Sequence, residues 1–147
     1  MKNKIKSPET LHYPDTVNTQ KKGSAYQNVC AEDILKQVRG LIEKEKSYLN
    51  AGFSLIDLSK RLNLPTHLIS YCINKGTKKS FPDLINQYRV GQAINMLTCP
   101  DYSDMSVEGI GSECGFGSPA SFYRSFKKIT GFTPTKFILK HEKGKGN

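Results

Sequence analysis

No part of the 147-residue chain has the apolar run of about 18 residues that a membrane-spanning helix requires, so it contains no helical membrane anchor. Lys2, Lys4 and Lys6 open the chain without an apolar stretch behind them. They therefore do not begin a secretory signal, and a cytoplasmic protein is expected. Cysteine is sparse: Cys30, Cys72, Cys99 and Cys114 are widely spaced and form no C-x-x-C pair. His12, His67 and His141 are not grouped near them, which argues against a zinc site and a disulfide scaffold. No acid/base pair, phosphate loop or nucleophile near a histidine is present, so neither an enzyme nor a cofactor is expected. Tryptophan is absent, and acid is in short supply: 13 Asp and Glu stand against 22 Lys and Arg, for a net charge of +9. Such an excess suits a polyanionic partner, and equally a well-solvated surface.

The position of the charge narrows the choice. Residues 1–22 carry five lysines against Glu9 and Asp15, residues 23–114 balance at ten against ten, and residues 115–147 carry seven basic groups against Glu142. The basic last quarter also contains Phe116, Phe122, Tyr123, Phe126, Phe132 and Phe137, so most of it is expected to fold. Only Lys143-Gly144-Lys145-Gly146-Asn147 reads as unstructured. Residues 1–29, polar and broken by Pro8, Pro14 and Gly23, read as a flexible basic lead-in.

From Ala31 onward the apolar spacing is helical, and the fold class is all-α with about seven helices. Ile34, Leu35, Val38, Leu41, Ile42 and Tyr48 predict a first helix from Ala31 to about Asn50. Ser54 with Asp57 forms a capping box for a short helix with Leu55, Leu58 and Leu62 inward. After Leu64-Pro65, a second amphipathic helix runs to about Lys75. It places Leu68, Ile69, Cys72 and Ile73 on one side and His67, Ser70, Tyr71 and Asn74 on the other.

Residues 81–98 predict a long helix with two stripes: Phe81, Leu84, Ile85 and Tyr88, then Val90, Ala93, Ile94 and Leu97. At about 100° per residue the second stripe lies on the opposite side from the first, as in a helix connecting two small cores. Ser106 then opens a helix with Val107, Ile110 and Cys114 inward, and Gly115-Phe116 makes a turn. Ser118-Pro119 starts a helix ending at Thr130 and Gly131, with Phe122, Phe126 and Ile129 as its core stripe and Pro119, Ala120, Tyr123, Arg124 and Lys127 facing away. Thr133-Pro134 caps a last helix through about His141.

The two helix pairs repeat. Ser54, Leu55, Leu58, Leu62 and Leu64 correspond, 52 residues on, to Ser106, Val107, Ile110, Cys114 and Phe116; with one residue added at the turn, Ile69 and Ile73 match Phe122 and Phe126. The expected architecture is two helix-turn-helix subdomains, about 54–75 and 106–130, joined by a connecting helix of about 81–98.

Three runs now acquire a common meaning: Glu113-Cys114-Gly115-Phe116-Gly117-Ser118, Ser121-Phe122-Tyr123-Arg124-Ser125-Phe126-Lys127-Lys128, and Thr130-Gly131-Phe132-Thr133-Pro134. Together with Asn86-Gln87-Tyr88-Arg89-Val90 and Leu58-Ser59, they resemble the signature of AraC/XylS-type transcription regulators, over about Lys46 to Phe137. The resemblance implies a DNA-binding domain over about 30–143 whose two recognition helices enter successive major-groove segments of double-stranded DNA. It implies base-reading or near positions at Thr66, His67, Ser70 and Tyr71 in the first unit and at Pro119, Ala120, Tyr123 and Arg124 in the second.

Lys127 and Lys128, with Lys75, Lys78, Lys79 and Lys136, are the phosphate-binding candidates. Arg124 has the chemistry for a bidentate contact to guanine, whereas Pro119 and Ala120 can only touch a thymine methyl or read shape. RNA polymerase is a further partner implied by the family.

Two departures stand out. Gly109 and Gly111 lie where a helix is expected, and the family usually has Ala at the position of Gly111; either the second unit is soft or its helices approach closely. The sensing domain that most members carry N-terminal to this one is not in the sequence, which implies regulation by abundance or a sensor upstream of a fragment. Leu11-His12-Tyr13 and the charged first helix loosely resemble the segment preceding the domain in members with a membrane-bound upstream part. A helical protein-interaction module, holding a partner helix instead of DNA, is the alternative function; it requires an apolar groove in place of the basic, polar face expected on the second unit.

Overall fold

The computed structural model describes residues 30–146, and the expectations for the lead-in 1–29 lie outside them. Among the described residues there are seven α-helices and no strand: α1 (Ala31–Glu45), α2 (Leu55–Leu62), α3 (Thr66–Thr77), α4 (Phe81–Leu97), α5 (Val107–Glu113), α6 (Pro119–Thr130) and α7 (Pro134–Lys145). Short 3-10 turns occupy Ser47–Leu49 and Pro100–Tyr102. The described residues divide into two compact units, one containing 30–40 with Ser54–Ser80, the other Leu41–Phe53 with 81–146. None of the described helices is long and apolar enough to cross a membrane.

In the first unit, α2 starts with a complete capping box. The Asp57 amide donates to the Ser54 hydroxyl oxygen at 3.3 Å, and the Ser54 amide donates back to Asp57 Oδ2 at 2.8 Å. The Ser54 hydroxyl also donates to Asp57 Oδ2 at 2.7 Å, and that bond, with the one from the Ser54 amide, holds the Asp57 carboxyl below its usual pKa. Asn63 takes a left-handed conformation (φ 52°) to end α2, and the turn closes where the Leu64 amide donates to the Ser59 carbonyl at 3.1 Å. The Ser59 hydroxyl donates to the Leu64 carbonyl at 2.6 Å, tightening the same turn. α2 and α3 pack together, with Leu58, Leu68, Ile69, Cys72 and Ile73 wholly buried. Removing a large buried aliphatic side chain from such a site costs about 2–5 kcal/mol.

The second unit repeats this local plan 52 residues later. Ser106 accepts from the Gly109 amide at 3.0 Å, Gly115 takes the left-handed conformation (φ 92°), and the Phe116 amide donates to the Gly111 carbonyl at 3.1 Å. The core consists of Val90, Ala93 and Met96 from α4, Ile110 and Cys114 from α5 and its end, Phe116 from the turn, and Phe122 and Phe126 from α6. Burial pushes the Cys114 thiol up to about 11, as it does Cys72 in the other unit. The ring of Phe122 lies across Gly111, where an added Cβ would stand 2.5 Å from the nearest ring carbon. Of the two alternatives the glycines left open, close helix approach is the one realised here.

The segment after α1 is also built into this unit. Arg89 donates from Nε to the Tyr48 carbonyl at 2.7 Å and from Nη2 to the Asn50 carbonyl at 2.9 Å, and its guanidinium lies 5.8 Å from the centre of the Phe116 ring. Tyr48 stacks on Tyr88 at 5.5 Å, and the Tyr88 hydroxyl donates to Glu43 at 2.8 Å. From the other side, Gly115 leaves no room for a side chain beside the Tyr48 and Leu49 carbonyls.

Four expectations need correction. The first helix stops at Glu45 instead of running to about Asn50: Lys46 turns left-handed (φ 49°), so that Tyr48 reaches Tyr88 and the carbonyls beyond reach Arg89. Ile129, placed in the core stripe of α6, is 44% exposed; Phe137 from α7 closes the core at Phe126 instead, with ring centres 5.5 Å apart. The last helix continues past His141 to Lys145 and includes Lys143, Gly144 and Lys145, which the sequence suggested were unstructured. In the second half of α4 the buried residues are Val90, Ala93 and Met96, while Ile94 and Leu97 are half-buried at the edge of the core.

Two glycine substitutions are expected to act in opposite directions. Gly115→Ala forces a methyl group into the Tyr48 and Leu49 carbonyls at a positive φ and should destabilise the protein by about 1–3 kcal/mol. Gly91→Ala fills open space on the exposed side of α4 and should stabilise it by about 0.5–1 kcal/mol. Urea unfolding of the two variants checks both signs.

Candidate nucleic-acid interface

Two helices carry the candidate residues, one in each unit. In the first, α3 follows Pro65, which serves as N-cap residue without a side-chain cap, and the Leu68 amide donates to the Pro65 carbonyl at 3.1 Å. The four buried residues of α3 leave Thr66, His67, Ser70 and Tyr71 half-buried on its other side, with Asn74 and Lys75 exposed beyond them. The Lys75 ammonium lies 5.7 Å from the centre of the Tyr71 ring, placing a positive charge over its face. Lys78 ends the helix in a left-handed conformation (φ 58°), its amide bonded to the Asn74 carbonyl at 2.8 Å. Lys78 is exposed and Lys79 half-buried.

In the second unit, Ser118 caps α6 by accepting from the Ser121 amide at 3.2 Å, and Pro119 occupies the first turn, where no backbone donor is needed. Phe122 and Phe126 are fully buried, which fixes the rotation of the helix. Pro119, Ala120, Arg124, Lys127 and Lys128 are exposed. Tyr123 is half-buried, and its hydroxyl donates to Glu108 Oε1 on α5 at 2.8 Å. That bond raises the Tyr123 pKa and lowers that of Glu108. Lys128 donates to Asp83 Oδ1 at 2.9 Å, with both side chains well exposed, so it enters any phosphate contact with a competing acid beside it. Lys136 and Lys140 lie over the Phe132 ring, at 5.8 and 4.2 Å from its centre.

On α6 the residues singled out from the sequence therefore form one outward face, with Tyr123 at its inner edge; on α3 they form a second, more recessed set. Three partners were missed by sequence reasoning: Glu108 for Tyr123, Asp83 for Lys128, and the carbonyls that engage Arg89. No local pattern signals them, because each pairing joins residues at least 15 positions apart. Among the described residues no group of three His, Cys, Asp or Glu side chains gathers as metal ligands would.

Residues 58–140, more than half of the chain, match the family model described as a helix-turn-helix domain. The chain belongs to the AraC-type helix-turn-helix family. Over 86 residues this AraC-type chain is 38% identical to the urease operon transcriptional activator of Escherichia coli, a stretch covering 58% of the chain and 27% of that protein. The chain thus spans well under two thirds of that relative's length. The C-terminal domain of the two-component response regulator yesN from Fusobacterium nucleatum superposes with a TM-score of 0.60 and 27% identity, covering 69% of this chain and 98% of that one. The DNA-binding domain of AdpA, a global transcriptional factor solved in complex with a target DNA, shares the fold of this AraC-type chain with a TM-score of 0.63 at 21% identity, over 78% of this chain and 96% of that one.

The cap at the start of α6 is separable from its outward face. Ser118→Ala should cost about 1 kcal/mol of stability and Ser118→Gly only a few tenths, as measured by thermal unfolding without DNA.

Proposed function

We propose that this chain is the DNA-binding part of a cytoplasmic transcription regulator, which reads double-stranded DNA by inserting α3 and α6 into successive major-groove segments. The observation that carries this proposal is the outward face of α6. A capped helix with two phenylalanines locked inward presents an exposed arginine and exposed lysines together, inside the stretch that matches the helix-turn-helix family. An exposed guanidinium on such a helix can donate two parallel hydrogen bonds to O6 and N7 of guanine, and lysines a turn away suit the phosphates on either side.

On α3 the direct readers are His67, Ser70 and Tyr71 with Thr66 at the helix start, and Lys75, Lys78 and Lys79 are the phosphate contacts. On α6 the direct reader is Arg124, with Pro119 and Ala120 offering apolar contact and Tyr123 standing at the inner edge of that face; Lys127, Lys128 and Lys136 supply charge. The domain comprises about residues 30–143 together with the last turn of α7. RNA polymerase and an upstream sensor domain are the protein partners proposed, and no residue is given a catalytic role.

The two kinds of contact separate in titrations against a preferred duplex and a scrambled control at two salt concentrations. Arg124→Ala should weaken the preferred duplex by about 1–3 kcal/mol and relax one base position. Lys127→Ala should weaken both duplexes alike and reduce the salt slope by about one. If neither change alters binding, the assigned face is wrong.

A further inference from the structure

Tyr123 occupies a position at which the family resemblance puts a base-reading side chain, but its hydroxyl is engaged within the protein. It donates to Glu108 on α5 at 2.8 Å. The ring stands edge-on to Phe122, 5.8 Å between centres, and packs at the margin of the second unit's core. One side chain thus ties α6 to α5, its partner in the helix-turn-helix. Glu108 also lines a recess of about 220 Å³ with Ser112, Ser118 and Pro119, beside the first turn of α6. A carboxylate left free there would repel phosphate and compete for donors meant for bases.

Resting on the function proposed above, we propose that Tyr123 is a positioning residue and not a base reader: held by Glu108, it fixes the attitude of α6 on α5 and so sets the base preference of the second unit, leaving direct reading there to Arg124. A hydroxyl donating to a carboxylate belongs to the stronger, charge-assisted class of hydrogen bond. The direction of the two pKa shifts agrees with the geometry: the phenol is held protonated to higher pH and the carboxylate charged to lower pH, so the bond persists across the neutral range. The effect on DNA is therefore one of orientation. A small tilt of α6 displaces Arg124 from the geometry a bidentate contact needs, without removing any group that touches DNA.

The test compares the unaltered chain with Tyr123→Phe, Glu108→Ala, Glu108→Gln and the Phe/Ala double variant, after thermal unfolding has established that each is folded. Each is titrated against its selected duplex and against duplexes changed one base at a time in both half-sites. Tyr123→Phe and Glu108→Ala are each expected to reduce discrimination in the second half-site by about fivefold, the equivalent of one net hydrogen bond, and to leave the first half-site unchanged. The double variant should be no worse than the single ones, and Glu108→Gln, which keeps an acceptor oxygen, should restore much of the loss. Loss of discrimination in Tyr123→Phe with none in Glu108→Ala would overturn the proposal and make Tyr123 a direct reader; unchanged discrimination in both would overturn it as well. A separate readout, the titration of tyrosine-labelled protein by carbon NMR, should show the Tyr123 phenol returning toward its ordinary pKa in Glu108→Ala, and an unmoved titration would contradict the pairing. Absence of any base discrimination in the unaltered chain, with that titration behaving as expected, would instead locate the failure in the proposed DNA function.

Discussion

The ring of Phe122 rests directly on the backbone of α5 at Gly111, and the geometry of the second helix-turn-helix depends on that contact. With no side chain at Gly111, the two helices close to a separation set by the thickness of an aromatic ring. Phe116 and Phe126 then pack on the same ring at 5.1 and 5.7 Å, and Phe137 continues the series from α7. Aromatic pairs in these arrangements add about 0.5–1.5 kcal/mol each beyond the area they bury. More important for function, two consecutive inward phenylalanines leave α6 a single rotational setting, and its exposed polar face follows from it. A helix glycine that would be a liability by propensity alone becomes the condition for a defined outward face.

Each unit reaches its helix-turn-helix by the same local means, a serine cap, a left-handed residue and an amide-to-carbonyl bond spanning five residues, at positions 52 apart. They differ in how each element is secured. The first unit completes its capping box through Asp57 and ends α2 with Asn63, a residue that tolerates positive φ; the second has Gly109 and Gly115 at the equivalent positions. The second unit compensates with packing. Arg89 and Gly115 enclose the carbonyls of residues 48–50 from two sides, so the chain leaving α1 is part of the structure that supports the turn before α6. Partial withdrawal of the Arg89 guanidinium from solvent lowers its pKa, yet arginine remains charged at any ordinary pH, which suits a half-buried clamp.

The all-α class, the paired short helices and most buried positions were legible because they depend on spacing and caps, which are local in sequence. Ser54 with Asp57, Ser118 with Pro119, and the stripes of α3 and α6 are examples. What could not be read depends on contacts across the fold. The left-handed turn at Lys46 interrupts a pattern in which Tyr48 falls on helical spacing, and only Arg89 and Tyr88, some 40 residues away, explain it. Ile129 has the period of a core residue but stands in the last turn of α6, where Phe137 fills the space. For the candidate interface, the outward placement of Arg124 and Lys127 followed from helical geometry, whereas the engagement of Tyr123 with Glu108 and of Lys128 with Asp83 did not. Side-chain partners across helices have no signature in a linear pattern.

The proposed function divides the labour simply: buried aromatic and aliphatic residues set the orientation of α3 and α6, exposed lysines are assigned attraction without sequence preference, and a small number of polar side chains are assigned discrimination. Its central claim is that discrimination comes from two separate helices. Selection of bound duplexes from a random pool, followed by titration of the winner and a scrambled control at two salt concentrations, tests this most directly. The account predicts two preferred half-sites about one helical turn apart, bound far more tightly than the control at both salt concentrations. Equal binding of both duplexes that disappears as salt is raised would contradict it.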